Sequence, residues 1–389
     1  MRVLVLTKQL YMGKDLLADR FGRFYEIPKM LAGCGNEIRC VCLKYRSTAD
    51  RPPHTESHFD NVQWDSYLLG PNWPAGLFRQ YRRLKKVATE FKPDVIVGMS
   101  DSLHVIMASF LSTKFAIPLV VDLYDNFESY GATRIPGMKS GLKRGIRVAS
   151  AVSVVSDNLA AKVRNEYRAL GIVRTVTNAI CPEIFYSIEK KIARKRLGLP
   201  QAGVLIGTAG ALTGDRGIVA LYGGFTALSK KFDNLYLVLA GPRDDQSKIP
   251  NDPNIIDLGE VPQFQVGSLF NALDVGVICN RKNAFGTYCF PQKLYEMLAC
   301  ELPVVAADVD VMRRLFVGAE RFLYDPERPN TLIEAVTAQL NAAYVPPIPI
   351  PTWKDQGVLF NDLLGHAAAT SPQGKSSGVR ALSERQISF

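Results

Sequence analysis

Three stretches carry residue types that could handle a phosphate-bearing ligand. Val204–Ile218 reads as a strand running through Gly207, Gly210 and Gly214 into a helix. Backbone N–H groups at such a turn, with a helix N-terminus behind them, suit a phosphate, and Arg216 adds a fixed positive charge. The spacing is neither G-x-G-x-x-G nor a P-loop, so a plain tight turn is an equal reading. Asn280–Pro303 begins where a second strand ends. Pro291 suits the first position of a helix, and Lys293 and Glu296, three apart, share a face of it. A lysine beside a positive helix end gains nothing from the dipole, whereas a bound polyanion would favour both. A carboxylate one turn on could accept hydroxyls. The alternative is a surface Lys–Glu pair on a core helix. Leu119–Tyr130 places Asp122, Asp125 and Glu128 at the C-terminal end of a parallel strand, where open α/β sheets bind ligands. Asp122 reads as structural; Asp125 and Glu128 are candidate general bases. This stretch holds no D-x-D motif and the nearby loops offer no ligand set, so no metal is expected.

The elements that must position these residues follow from hydrophobic pattern. Apolar runs at Val3–Thr7, Ile38–Leu43, Val95–Gly98, Leu119–Tyr124 and Val152–Ser156 read as strands. Leu17, Phe21, Phe24, Ile27 and Leu31 step at helical spacing, and Gly33 and Gly35 end that helix. After Cys181 a charged connector, Glu189–Arg196, precedes a second series: Val204–Thr208, Leu235–Ala240, Ile255–Leu258, Val275–Cys279, Pro303–Ala307 and Arg321–Tyr324. Strands alternating with helices predict parallel sheets covered on both faces, in two α/β domains. The proline-rich Tyr344–Pro351 cannot be helix interior. Thr352–Asp355 resembles a capping box opening a last helix to about Leu364, and the Ser-, Gly- and Gln-rich tail reads as loose.

Charge narrows the partners. Positions 1–180 hold 26 basic and 16 acidic residues, and 181–389 hold 21 of each, so the net +10 lies in the first half. That half suits an anionic partner, either nucleic acid or an anionic membrane surface. Trp73–Lys86 sets Arg79, Arg82, Arg83, Lys85 and Lys86 among Trp73, Leu77, Phe78, Tyr81 and Leu84, and Pro136–Arg147 is a second basic stretch. Basic side chains among exposed aromatics mark an interfacial helix; a solvated face of an ordinary helix is the alternative. No nucleic-acid module is recognisable, so no nucleic acid is expected. The seven cysteines form no C-x-x-C pair and lie apart from the four histidines, which argues against a zinc cluster and for reduced thiols in a cytosol. No apolar run approaches the ~18 residues of a membrane span. Met1–Thr7 reads as a strand rather than a leader, so neither a secreted precursor nor an integral membrane protein is expected.

Taken in order, these residues resemble the GT-B glycosyltransferases, most closely the family 4 (group 1) type, over about residues 1–365. The likeness rests on Arg23–Ile38, Ser153–Leu159, Thr177–Ile180, Leu239–Pro242, Leu258–Val261, Ala272–Ile278, Trp353 and, most specifically, Pro291–Val305, which is similar to the family's donor-site helix. It implies an α/β fold of two Rossmann-like domains facing a cleft. Residues 1–182 would form the acceptor domain, completed by a helix at about 353–365 that crosses back to it. Residues 183–352 would hold the nucleotide sugar, and 366–389 would be a flexible tail. By the same resemblance Gly210, Arg216, Val261, Tyr288, Lys293 and Glu296 bind the donor. Gly13, Lys14, Arg79, Arg82, Arg83, Lys85 and Lys86 lie on the acceptor or membrane side. Three positions depart from the pattern: Tyr288 replaces the first of two glutamates, Ala211 stands where an arginine often follows the glycine, and Tyr124 replaces the histidine of Asp-x-His-Asp.

The function implied is transfer of a sugar from a UDP- or GDP-linked donor, without cofactor or metal, to a saccharide or lipid-linked hydroxyl. The setting would be cell-surface polysaccharide or glycolipid synthesis, in the cytoplasm or peripherally on the inner face of the membrane. Asp125 and Glu296 are the catalytic candidates. Retention of configuration follows from the resemblance; inversion, with Asp125 as base, is the alternative suggested by Tyr288. A nucleotide-sugar epimerase would need more carboxylates and histidines. A non-catalytic protein that binds nucleotide sugar or membrane is the reading from another class.

Overall fold

The alternation of apolar strands and helices resolves into two parallel sheets in the computed structural model, which describes residues 1–11, 14–45, 54–245, 247–282, 288 and 292–370. Two compact units result: Met1–Asn178 together with the chain from Trp353, and Ala179–Thr352. The first contains β1 (Arg2–Lys8), β2 (Leu10–Tyr11), β3 (Lys14–Asp15), β4 (Glu37–Lys44), β5 (His54–Phe59), β6 (Val62–Leu68), β7 (Val95–Met99), β8 (Leu119–Leu123), β9 (Ala151–Val154) and β10 (Ile172–Thr175). Its main sheet runs β10-β9-β8-β7-β1-β4-β6-β5, parallel except for β5, while β2 and β3 form a small separate ribbon. β1 is central: Val3 lies opposite Ile38 of β4 on one side and Val95 of β7 on the other. Val3–Leu6 and Val95–Val97 are buried, as a strand covered on both faces must be.

The second unit contains β11 (Val204–Ala209), β12 (Leu235–Ala240), β13 (Ile255–Asp257), β14 (Val275–Ile278), β15 (Val304–Ala307) and β16 (Leu323–Tyr324). These pair in the order β13-β12-β11-β14-β15-β16, all parallel. One face of this sheet closes over Leu221, Phe225, Leu237, Val277, Leu332 and Val336. Within each unit the sheet therefore presents the C-terminal ends of its parallel strands along one edge, and the candidate residues after β8 and β11 follow such strand ends.

Several local expectations change. The first helix is Arg23–Gly33, so Leu17 and Phe21 lie outside it. Asp15 Oδ1 accepts from the backbone N–H groups of Leu17 and Ala18, which fixes a turn there, and the ring of Phe21 instead packs against Tyr11. The hairpin β5–β6 was not anticipated. Its turn, Asp60-Asn61, has φ of 53° and 59°, the left-handed pair that a tight hairpin turn requires. The charged connector is a helix, Lys190–Arg196. Its Arg194 is buried, donating to the Ala272 carbonyl and to Asp274 at 2.7 Å. The stretch before Leu323 is a 3-10 turn, not strand. The last helix, Trp353–Ala369, runs past Leu364 and takes in residues expected in the loose tail; positions 371–389 lie outside the described residues. It packs on Arg23–Gly33 so closely that a Cβ on Gly357 would lie 2.3 Å from Met30 Cβ. Asn36 bridges to Asn361 at 2.7 Å.

Candidate active site

In the second unit, β11 delivers the chain into Gly210 at φ 109°, a backbone state that L side chains rarely adopt. Gly210 N–H donates to the Ala240 carbonyl and Leu212 N–H to that of Pro242, so the loops after β11 and β12 run side by side. They run close: a Cβ on Gly241 would meet the Gly210 carbonyl oxygen at 2.2 Å. Gly241 N–H in turn donates to Gly259, which brings in the loop carrying half-buried Val261. Lys293 opens the helix Lys293–Ala299, and its ammonium lies over Gly210, 3.1 Å from where a Cβ would be. Glu296, one turn on, accepts from Gln292 Nε2 at 3.0 Å. Burial lifts the Glu296 carboxyl to about 7, against the opposing pull of Lys293 and of that hydrogen bond. Arg216 ends the 3-10 turn Gly214–Arg216, six residues beyond Gly210, and is half-buried. The structure thus brings Gly210, Lys293 and Glu296 together, with Arg216 on the same loop as Gly210. Tyr288 is half-buried. Pro291, the expected start of the helix, lies outside the described residues.

In the first unit, the three acidic candidates after β8 part ways. Asp122 is fully buried and paired in parallel with Arg23, at 2.9 and 2.7 Å. Arg23 also donates to the Val176 and Thr177 carbonyls, and Ser153 donates to Asp122, so this pair ties the first helix to the end of the unit. Glu128 sits among Lys139, Lys143 and Lys162, at 3.5–3.6 Å. Three cations thus share that carboxylate. Asp125 differs. It is 2% exposed, accepts from its neighbour's Asn126 N–H at 2.7 Å, and receives the Tyr130 hydroxyl at 2.9 Å.

Residues not singled out beforehand share the sheet edge with Asp125. Lys8 ends β1; its ammonium donates to the Tyr124 hydroxyl at 3.4 Å and lies 5.7–5.9 Å from the ring centroids of Tyr11, Phe24, Tyr124 and Tyr130. Burial lowers its pKa, while Asp101 and Asp125 pull it back up. After β7, Ser100 is buried at φ 82°, a strained state for a residue with a side chain. Asp101 caps the helix Ser102–Phe115 and contacts His104 Nδ1 at 2.8 Å and the Tyr45 hydroxyl at 2.7 Å. Despite burial, which opposes it, the partnership with His104 and Tyr45 brings the Asp101 carboxyl down to about 2. His104 Nε2 is buried with no hydrogen-bond partner among the described residues. The signal for Asp101 and His104 was their place just past a parallel strand.

The basic stretch is the helix Trp73–Phe91. Arg79 turns back to the Leu69 carbonyl, Arg83 stacks over Tyr67 at 4.7 Å and Lys85 over Tyr81 at 5.6 Å. Lys86 pairs loosely with Glu90 at 3.7 Å, and Arg82 is exposed. Trp73 and Phe78 stand 53% and 64% exposed on the same helix. Lys14 lies in β3, opposite Tyr11; Gly13 lies outside the described residues. No described helix is long and apolar enough to cross a membrane.

Comparison with known proteins follows the same division. Residues 23–179 match the family model described as glycosyl transferase 4-like domain, and 203–342 that described as glycosyl transferases group 1. A curated relative, "Putative teichuronic acid biosynthesis glycosyltransferase TuaC" of Bacillus subtilis (strain 168), is 27% identical over 234 residues, 59% of this chain; the match spans only 57% of that relative's length. Among solved structures, sucrose-phosphate synthase from Thermosynechococcus elongatus superposes with a TM-score of 0.71 at 16% identity, over 98% of this chain and all of that one. Anabaena HepE in complex with UDP-glucose gives 0.65 at 16% identity, over 97% and 100%. These likenesses establish a GT-B fold of two Rossmann-like domains. With the family models matching most of both units, the chain belongs to the group 1 glycosyltransferases.

Proposed function

We propose that the protein moves a sugar from a nucleoside diphosphate donor, UDP- or GDP-linked, to a hydroxyl of a saccharide or lipid-linked acceptor in cell-surface polysaccharide or glycolipid synthesis. The observation that carries this reading is the Lys293 ammonium lying over the Gly210 backbone, with Glu296 one turn along the same helix. Lys293 and Arg216 would take up the charge that grows on the leaving diphosphate, the work a metal ion does elsewhere, so the reaction would need none. Glu296 would accept the ribose hydroxyls, and Val261 and Tyr288 would line the donor. The UDP-glucose held by HepE supports the donor class, and the relative's name supports an envelope polysaccharide.

Asp125 would hold the acceptor hydroxyl. The family favours retention, in which the donor's own phosphate takes the acceptor proton. Inversion with Asp125 as base is the second reading, favoured by Tyr288 in place of a carboxylate and by the Tyr130 hydroxyl directed at Asp125. Exposed Trp73 and Phe78 beside Arg82 and Lys86 fit an anionic membrane surface, which would place the protein peripherally on the cytoplasmic face.

Incubating the protein with a panel of UDP- and GDP-sugars, with lipid and saccharide acceptors, and measuring released nucleoside diphosphate tests the reading. Release with one donor is expected; binding of nucleotide sugar with no turnover on any acceptor would favour the non-catalytic role. NMR of the first-formed product reads retention or inversion directly.

A further inference from the structure

We propose that Lys8, Tyr124 and Tyr130 form a directed hydrogen-bond chain that positions the Asp125 carboxylate and keeps it ionised for the acceptor hydroxyl; this rests on the reading of Asp125 just given.

The direction follows from counting protons. The Tyr130 oxygen lies 2.9 Å from Asp125 Oδ2 and 2.6 Å from the Tyr124 oxygen. A hydroxyl has one proton, and an ionised carboxylate can only accept. The Tyr130 proton therefore goes to Asp125. The short contact to Tyr124 then requires Tyr124 to donate to Tyr130. That leaves the Tyr124 oxygen to accept from the Lys8 ammonium, 3.4 Å away. A cation stands at one end and an anion at the other, with two phenols polarised between them, and each bond strengthens the next.

The surroundings explain why a chain is needed. Asp125 is 2% exposed, and burial alone drives a carboxylate toward its neutral acid. A neutral acid holds an acceptor hydroxyl less firmly than a carboxylate does and, in the inverting course, could not take its proton. Tyr11, Phe24, Tyr124 and Tyr130 crowd around the Lys8 ammonium, limiting its contact with water. Asp101, itself hydrogen-bonded to His104 and Tyr45, also acts on Lys8. The Lys8 ammonium therefore lies in the field of both carboxylates, and its hydrogen bond to Tyr124 is what joins it to the phenol chain. Lys8, Tyr124 and Tyr130 are positioning residues: they act through Asp125 and need not touch substrate.

The test reads the carboxylate itself and needs no acceptor. In protein carrying 13C-carboxyl aspartate, the Asp125 resonance is the one lost in Asp125→Asn, and its pH titration is followed by NMR. Tyr130→Phe removes one hydroxyl and keeps the ring, and it is expected to raise the midpoint by about one to two pH units, the worth of one hydrogen bond to a charged group. Tyr124→Phe and Lys8→Met, which cut the chain further away, are expected to raise it by less, in that order. If Tyr130→Phe fails to fold, these two variants read the same chain from its other end. A midpoint unmoved in the folded variants overturns the proposal. Failure of the transfer assay, with the midpoints shifted as expected, would instead refute the functional reading and leave the chain standing.

Discussion

Lys293 and Arg216 carry the proposed donor site. Each is expected to contribute a charge-assisted contact to the diphosphate, worth roughly 1.5–3 kcal/mol. Lys293→Ala and Arg216→Ala are therefore each expected to weaken UDP or GDP binding by about 10- to 100-fold in calorimetry; unchanged affinity in both would remove the donor site. Glu296 offers a test of burial. Its folded pKa, about 7, lies above the ordinary value near 4.3, so the folded state binds the extra proton. The stability this gives is fully present below about pH 4.3 and is lost as pH rises through about 7. Glu296→Gln is expected to flatten that part of the stability-versus-pH curve, measured by urea unfolding at a series of pH values; an identical slope in the variant would contradict it. Lys293 and Glu296 could be picked out in advance because helical spacing alone puts them on one face. Lys8, Asp101 and His104 could not be joined to Asp125 in that way. Together with Asp125 they lie at or past the ends of three strands far apart in the chain, and only the strand order β8-β7-β1 brings those ends side by side.

At the level of elements, continuous apolar runs marked the buried parallel strands well, because burial on both faces leaves little room for polar residues. β6 was harder to see. Asp65 is buried within it, paired with Arg39 at 2.7 Å, and a strand that hides polar groups hides its own signal. The helix Lys190–Arg196 was obscured for a related reason: a run of charges reads as solvated, yet Arg194 is anchored inside by the Asp274 carboxylate. The contact between Arg23–Gly33 and Trp353–Ala369 depends on a glycine that no periodicity marks. Gly357→Ala would place a Cβ 2.3 Å from Met30 Cβ, so the helices must part. Overpacking of this kind costs about 1–3 kcal/mol. Urea denaturation is expected to show that loss, with nucleotide affinity retained because the proposed donor residues belong to the other unit; a variant as stable as the parent would show that the helix contact yields easily.

Across the whole molecule the positive excess belongs to positions 1–180. Binding to vesicles is expected to require anionic lipid and to fall with salt, since each basic side chain near the surface adds about 1 kcal/mol that ions screen. Replacing Arg82, Arg83, Lys85 and Lys86 together with Gln is expected to abolish it while nucleotide binding persists; equal sedimentation with neutral and anionic vesicles would refute this. The helix Trp353–Ala369 also has a consequence for the way the chain is made. Its buried face, with Trp353, Phe360, Leu363 and Leu364, belongs to a unit whose last strand ends at Thr175. During translation at ~5–20 residues per second, the ribosome must deliver the whole of Ala179–Thr352 before that helix appears, a wait of roughly ten to thirty-five seconds. Throughout that interval the nascent first unit lacks the helix that packs on Arg23–Gly33 and on β9, so the surface around Met30 stays open to chaperones and proteases alike, and a ribosome stalled near Thr352 would hold it in that state.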